Sequence, residues 1–147
     1  MFRQQGFTLI ELMATIAIIA ILSSIGIPAY RHYTQKAALT DMLQSMVSYK
    51  TGVELCTLEQ EDFTGCSSGA KGISASRGTR YVKAVGVTDG VIVITGQKIL
   101  EGLTVKLTPS RDNNSDHTLW TRECVASDGR LVDTCKGIFH FNDTAGG

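Results

Sequence analysis

The chain opens on an apolar run with almost no polar interruption. Residues 7–27 read FTLIELMATIAIIAILSSIGI, in which Glu11 is the sole charge. Leucine, isoleucine and alanine lie all round a helix of that sequence, so no polar stripe marks a soluble amphipathic element. Such a helix spans roughly 30 Å, the thickness of a bilayer's hydrocarbon core. The pattern then changes without a linker. Leu39, Met42, Met46, Tyr49, Val53 and Cys56 recur at alternating three- and four-residue steps, with Leu43 and Val47 on the same side. Thr40, Asp41, Gln44, Ser48 and Thr51 fall opposite. The spacing predicts a helix that continues, now amphipathic, to about Leu58, a rod of roughly 78 Å if straight. Gly26 and Pro28 interrupt it, because proline removes an intrahelical donor and glycine weakens the same turn. A bend or a locally melted stretch is expected there.

Residues 60–78 turn to Gly, Ser, Thr and charge, which reads as loop. Strand signals follow at 81–87 and 91–95, with Asp89-Gly90 between them as a hairpin turn. Residues 103–108 alternate cleanly, so one face is buried and the other wet, and Pro109 is expected to end that strand. A fourth strand is expected over 119–124, with Trp120 directed toward the helix. The fold class is α+β: an antiparallel sheet of about four strands on the amphipathic half of a long helix, then a C-terminal loop containing Phe139 and Phe141.

Composition narrows the function. The 147 residues are one domain's worth of material, and 43% hydrophobic content excludes global disorder. Lys+Arg and Asp+Glu balance at 14 each, and Arg77, Arg80, Lys83, Arg111 and Arg122 are scattered, so nucleic acid is not an expected partner. The apolar run admits a signal-peptide reading, with Ser24-Ile25-Gly26 imitating a cleavage site, and a single-pass anchor reading. Neither explains Glu11, since an ionised side chain in a bilayer costs about 2.5 to 3.5 kcal/mol even on the lenient insertion scale. The carboxylate wants a partner.

Other chemistry is thin. Four cysteines beyond a membrane segment point to an oxidising compartment such as the periplasm, and three pairings are open. No Cys-x-x-Cys occurs, which disfavours zinc or thiol-redox work. Asp112, Asn114 and Asp116, with Glu123 further on, match the oxygen-ligand spacing of a calcium loop. His117 stands where that loop needs glycine and no helix pair flanks it, so an Asn/Asp-rich turn is the plainer reading. His32, His117 and His140 are far apart, and Gly65, Gly69 and Lys71 miss the phosphate-loop spacing. Asn113-Asn114-Ser115 is a formal glycosylation acceptor. No metal, cofactor or catalytic set is expected, so the chain reads as a non-enzyme.

The string Gly6-Phe7-Thr8-Leu9-Ile10-Glu11, preceded by Met1-Phe2-Arg3-Gln4-Gln5, resembles the processing site of type IV pilins and the related type II secretion pseudopilins. The resemblance implies a prepilin peptidase that cuts between Gly6 and Phe7 on the cytoplasmic side and N-methylates Phe7. Glu11 then becomes the fifth residue of the mature chain. A cut before the apolar run keeps that run in the product and creates an amine at Phe7. That amine is a natural partner for Glu11, with Thr8 placed to hydrogen-bond nearby.

Residues 1–6 are therefore expected to be a cleaved leader, 7–28 a transmembrane and later filament-core helix half, and 29–147 a globular pilin head. Sequence proximity and the resemblance favour disulfides Cys56 to Cys66 and Cys124 to Cys135, worth about 3 kcal/mol each. The second would enclose a surface segment carrying Asp128, Arg130 and Asp133. The implied function is that of a type IVa major pilin of a Gram-negative bacterium, a subunit that waits in the inner membrane and polymerises into an extracellular pilus. Its implied partners are other copies of itself, the peptidase and N-methyltransferase, an inner-membrane assembly platform and minor pilins. A major pseudopilin of a type II secretion system is the alternative, disfavoured because pseudopilins usually lack the C-terminal cysteine pair. A minor tip pilin that binds DNA or surfaces is another. The pilus that the resemblance implies serves adhesion, twitching motility or DNA uptake.

Overall fold

The computed structural model describes residue 3 and residues 5–143. Residues 1, 2 and 4 of the expected leader, and 144–147 of the expected head, lie outside the described residues. The chain divides into two compact units, 1–34 and 35–147.

The first unit is the opening stretch of helix α1 (Leu9–Gln60). Its apolar side chains have nothing to pack on: Leu9 and Ile10 are 75% exposed and Ile25 70%. Polar groups are turned back onto the helix, with Thr15 Oγ1 donating to the Glu11 carbonyl at 2.8 Å and Ser24 Oγ to that of Ile21 at 2.7 Å. Neither hydroxyl is left to seek water. The helix runs unbroken through Gly26 and Pro28, which corrects the expected break for the single chain. A proline removes one donor and crowds one carbonyl, while the bonds on either side survive. Glycine keeps its N–H donor, so Gly26 weakens that turn without severing it.

The second unit starts where side chains find a core. Ala38, Leu39, Met42, Met46, Tyr49, Val53 and Cys56 are buried along one face of α1, at the three- and four-residue steps of the sequence pattern. The start at residue 35 is later than the expected 29, since Ala38 and Leu39 are the first buried positions. Val47 departs from the pattern and is 50% exposed, because it lies at the margin of the stripe.

The sheet comprises β1 (Val82–Thr88), β2 (Val91–Gly96), β3 (Thr104–Arg111), β4 (Thr118–Val125) and β5 (Asn142–Asp143), in that spatial order. All neighbours are antiparallel except β5, which runs parallel to β4. Asp89 and Gly90 both take positive φ, 47° and 83°, the requirement of a two-residue hairpin turn whose twist matches the strands. Inward-facing Val85, Val87, Ile92, Ile94, Val105, Leu107 and Trp120 join the buried face of α1 in one core.

Two expectations are corrected here, and one of the scattered basic residues is placed inside. Pro109 does not end β3, which continues to Arg111 with Pro109 opposite Trp120. Pairing with β2 stops at Leu107, so beyond it β3 has the free edge on which proline is tolerated. Arg122 is no surface charge: it alternates with Trp120 and Cys124 on the core-facing side of β4 and is 5% exposed. The C-terminal segment is not all loop, because α2 (Gly129–Ile138) forms there, capped by Asp128, whose Oδ1 accepts from Arg130 N–H at 3.0 Å.

Candidate functional site

The first turn of α1 is organised by two side chains. Thr8 precedes the first helical residue, and Glu11 lies three residues later. Glu11 Oε2 accepts from Thr8 N–H at 2.9 Å, and Thr8 Oγ1 accepts from Glu11 N–H at 3.3 Å. This is the reciprocal capping box, in which two of the helix's orphan donors are satisfied by side chains. The S/T-x-x-E signature is legible in the sequence and gives Glu11 a partner besides the expected Phe7 amine. A carboxylate at the head of an apolar helix also faces the positive end of the helix dipole. Glu11 is therefore already partnered before any change to the chain.

Phe7 lies just outside this cap and is 92% exposed, and Gly6 has open space where a Cβ would stand. Among the described residues nothing requires glycine at position 6, so a demand for a small residue there points to whatever engages the segment from outside. Thr8, Glu11, Gly6 and Phe7 thus form an accessible polar head on an exposed apolar helix.

Two disulfides fasten the second unit. Cys56 and Cys66 are bonded at 2.05 Å, Cys124 and Cys135 at 2.04 Å, and Cys56, Cys66 and Cys135 are at most 1% exposed. The first closes the end of α1 onto the loop that follows it. Gln60 stitches that loop from inside, with Nε2 donating to Thr64 O at 2.6 Å and Asp62 O at 3.1 Å, while Lys71 Nζ donates to its Oε1. Asp62 accepts from Thr64 Oγ1 and from Phe63 N–H, which holds its carboxyl below the usual range. The second disulfide ties β4 to α2, and Asp128, Arg130 and Asp133 are exposed on the enclosed segment. Arg122 reaches the far end of α2, where Nη1 donates to the carbonyls of Lys136 and, at 2.7 Å, Phe139. A cation among the last carbonyls of a helix satisfies acceptors and complements the dipole. Strand alternation with Trp120 and Cys124 was the signal that could have placed it inside.

The acidic residues with calcium-loop spacing do not converge. Asp112 closes an Asx turn: Oδ1 accepts from Asn114 N–H at 3.1 Å and Oδ2 from Ser115 Oγ at 2.7 Å. The Ser115 hydroxyl, with the Asn114 amide, lowers its carboxyl pKa. Glu123 sits on β4 opposite Lys106, away from that turn. Among the described residues no group of three His, Cys, Asp or Glu side chains is placed to hold a metal ion. The turn lines part of an open groove of about 760 Å³, to which Glu54 of α1, Glu61 just beyond it, Arg111, Asp116 and His117 also contribute. Acids and bases mix in it.

Comparison with known proteins adds three findings. Residues 1–27 match the prokaryotic N-terminal methylation motif. The chain is similar to prepilin peptidase-dependent protein D of Escherichia coli K12, 54% identical over 97% of this chain and 99% of the relative. It is also similar to the type IV major pilin protein PilE of Neisseria gonorrhoeae, 35% identical over 92% and 96%. Among solved structures, the solution structure of the major type IV pilin PpdD from enterohemorrhagic Escherichia coli matches with a TM-score of 0.68 at 45% identity, covering 78% of this chain and 90% of that one.

Proposed function

This chain belongs to the type IV pilin family, and from that premise we propose that it is a structural subunit, cut between Gly6 and Phe7, N-methylated at Phe7, and polymerised through its apolar helix half into a pilus. The observation that carries the reading is the exposed apolar stretch of α1 headed by the Thr8 and Glu11 cap. Such a surface is stable only in lipid or against other copies of itself. Residues 7–28 therefore serve first as a single-pass anchor in the inner membrane and then as filament core.

Cleavage supplies the assembly chemistry. Thr8 and Glu11 both lie after the cut, so the cap survives it. The new cation at Phe7 arises next to a carboxylate that already faces the chain start. In the filament, Glu11 can neutralise the Phe7 amine of its own or an adjacent chain, and a subunit is stabilised only in the axial register that brings the two together. The assembly platform and minor pilins are the partners this route needs.

Expression with a pilus assembly system tests the proposal. Sheared filaments should contain a chain lacking residues 1–6 with one added methyl by intact mass, and Gly6 substitution should abolish both changes and the filaments. The pseudopilin alternative predicts filaments and secretion only with a type II secretion machine. A mature chain beginning at Ile27 would sink the family processing altogether.

A further inference from the structure

Strand β1 borders the sheet and has β2 on one side only. Beside a two-residue turn the pair Thr88 and Val91 shares ladder bonds, as does Gly86 with Val93, so Val85 and Val87 direct their N–H and C=O groups outward. A bare edge of this kind is a template for another strand. Here it is covered by a segment that is not itself a strand. Val87 N–H donates to Ser68 Oγ at 2.8 Å, while Ser68 N–H donates to Val87 O at 3.0 Å. Val85 N–H donates to Ser76 Oγ at 3.0 Å and Asp89 N–H to Ser67 Oγ at 3.2 Å. Serine hydroxyls thus take the places that carbonyls of a paired strand would fill.

The covering segment is fastened at both ends. Cys66 is bonded to Cys56, and its carbonyl accepts from Gly90 N–H at 2.8 Å. Tyr49 OH donates to Ala75 O at 3.1 Å and accepts from Arg77 N–H at 3.1 Å. Ile73 is seated against Gly52, where a Cβ would lie 3.3 Å from its Cγ1. The strand underneath is the sort that pairs readily. Val82–Thr88 carries a single charge, Lys83, and continues across the turn into Val-Ile-Val-Ile-Thr. Lys83 stands where the register shifts between Val82 and Ala84, and a lysine and a bulge are both devices against edge pairing.

We propose that residues 66–76 are a strand-edge guard, in which the hydroxyls of Ser68 and Ser76 occupy β1, and that of Ser67 the turn after it, so that a second copy of this chain cannot add its own β1 antiparallel to it. Such pairing would be self-complementary about a two-fold axis. The guard acts on the head alone and holds whether or not the chain assembles into filaments.

The test uses the full chain in detergent micelles and a labelled synthetic peptide of the β1 sequence, residues 82–88. Ser68→Ala with Ser76→Ala should speed amide exchange at Val85 and Val87 by about tenfold, as expected for losing one net hydrogen bond each. The variant should also take up the peptide, which the parent chain should not, and Ser68→Thr with Ser76→Thr should restore the parent behaviour. If the double alanine variant loses the Trp120 fluorescence of the folded head, Ser68→Ala alone should speed Val87 and leave Val85 slow. Unchanged exchange, or fast exchange without peptide uptake in a folded variant, overturns the guard.

Discussion

Trp120 on β4 donates its indole N–H to Oε1 of Glu54 on α1 at 2.9 Å, and the same oxygen pairs with Lys50 Nζ at 2.8 Å. Lys50 also lies over the Trp120 ring, 5.7 Å from its centroid. Three side chains on two elements thus lock the helix across the end of the sheet. Partial burial by itself raises the Glu54 carboxyl, but the hydrogen bonds from Lys50 and Trp120 and the attraction of the ammonium outweigh it and hold the pKa below the ordinary value.

A carboxyl depressed on folding adds stability above its unfolded pKa near 4.3 and loses it as pH falls through the lower folded value. Glu54→Gln keeps an acceptor for the indole but drops the charge. It should cost about 0.5 kcal/mol at pH 7, as for a half-exposed ion pair, and flatten the acid side of the stability curve. The sole tryptophan is the reporter, so its fluorescence in urea at pH 7 and pH 3 measures both effects. An acid limb as steep as the parent's would remove Glu54 from the account.

Arg122→Met should destabilise the head by about 2 kcal/mol or more, because the carbonyls of Lys136 and Phe139 lose a buried charged donor. Arg122→Lys should fall between, having a point charge and no fork. Amide exchange should rise first in α2 and leave β2 and β3 unchanged. Uniform loosening of the whole head would show that Arg122 packs the core and does not staple the helix end.

Glu11 now has two possible roles, which separate by substitution. Glu11→Gln retains the capping box, since glutamine accepts from Thr8 N–H, but cannot pair with a cationic amine. If register depends on charge, Glu11→Gln and Glu11→Ala should both cut filament yield steeply at equal membrane levels, with Glu11→Asp intermediate. Filaments from Glu11→Gln in parental numbers would make the cap the whole explanation. Thr8→Ala, which removes one cap bond worth about 1 kcal/mol, should lower yield less than either.

The stretch around Gly26 and Pro28 is helical in the single chain, yet Pro28 lacks an intrahelical donor and glycine disfavours the same turn. Leaving lipid for a filament core lets neighbours and water satisfy backbone groups that lipid cannot. A filament reconstruction should show helix lost there, and an unbroken helix over residues 25–29 in the assembled state would refute this.

What the residues determined by themselves is what depends on near neighbours along the chain. The apolar run, the three- and four-residue steps from Leu39 to Cys56, the Asp89-Gly90 turn and the Thr8-x-x-Glu11 cap each rest on contacts within a few positions. Local order writes those contacts directly into the sequence. Tertiary structure alone decided the rest. Strand alternation puts Arg122 on the inner face of β4, but only the end of α2 brings the carbonyls that receive its charge. Pro109 sits inside β3, because the neighbour that would need its missing donor stops at Leu107. Ser68 and Ser76 read as loop filler until Val87 and Val85 are seen to need acceptors. In each case the deciding partner is distant in sequence, and a residue's own chemistry states what it requires without stating what the fold will bring to it.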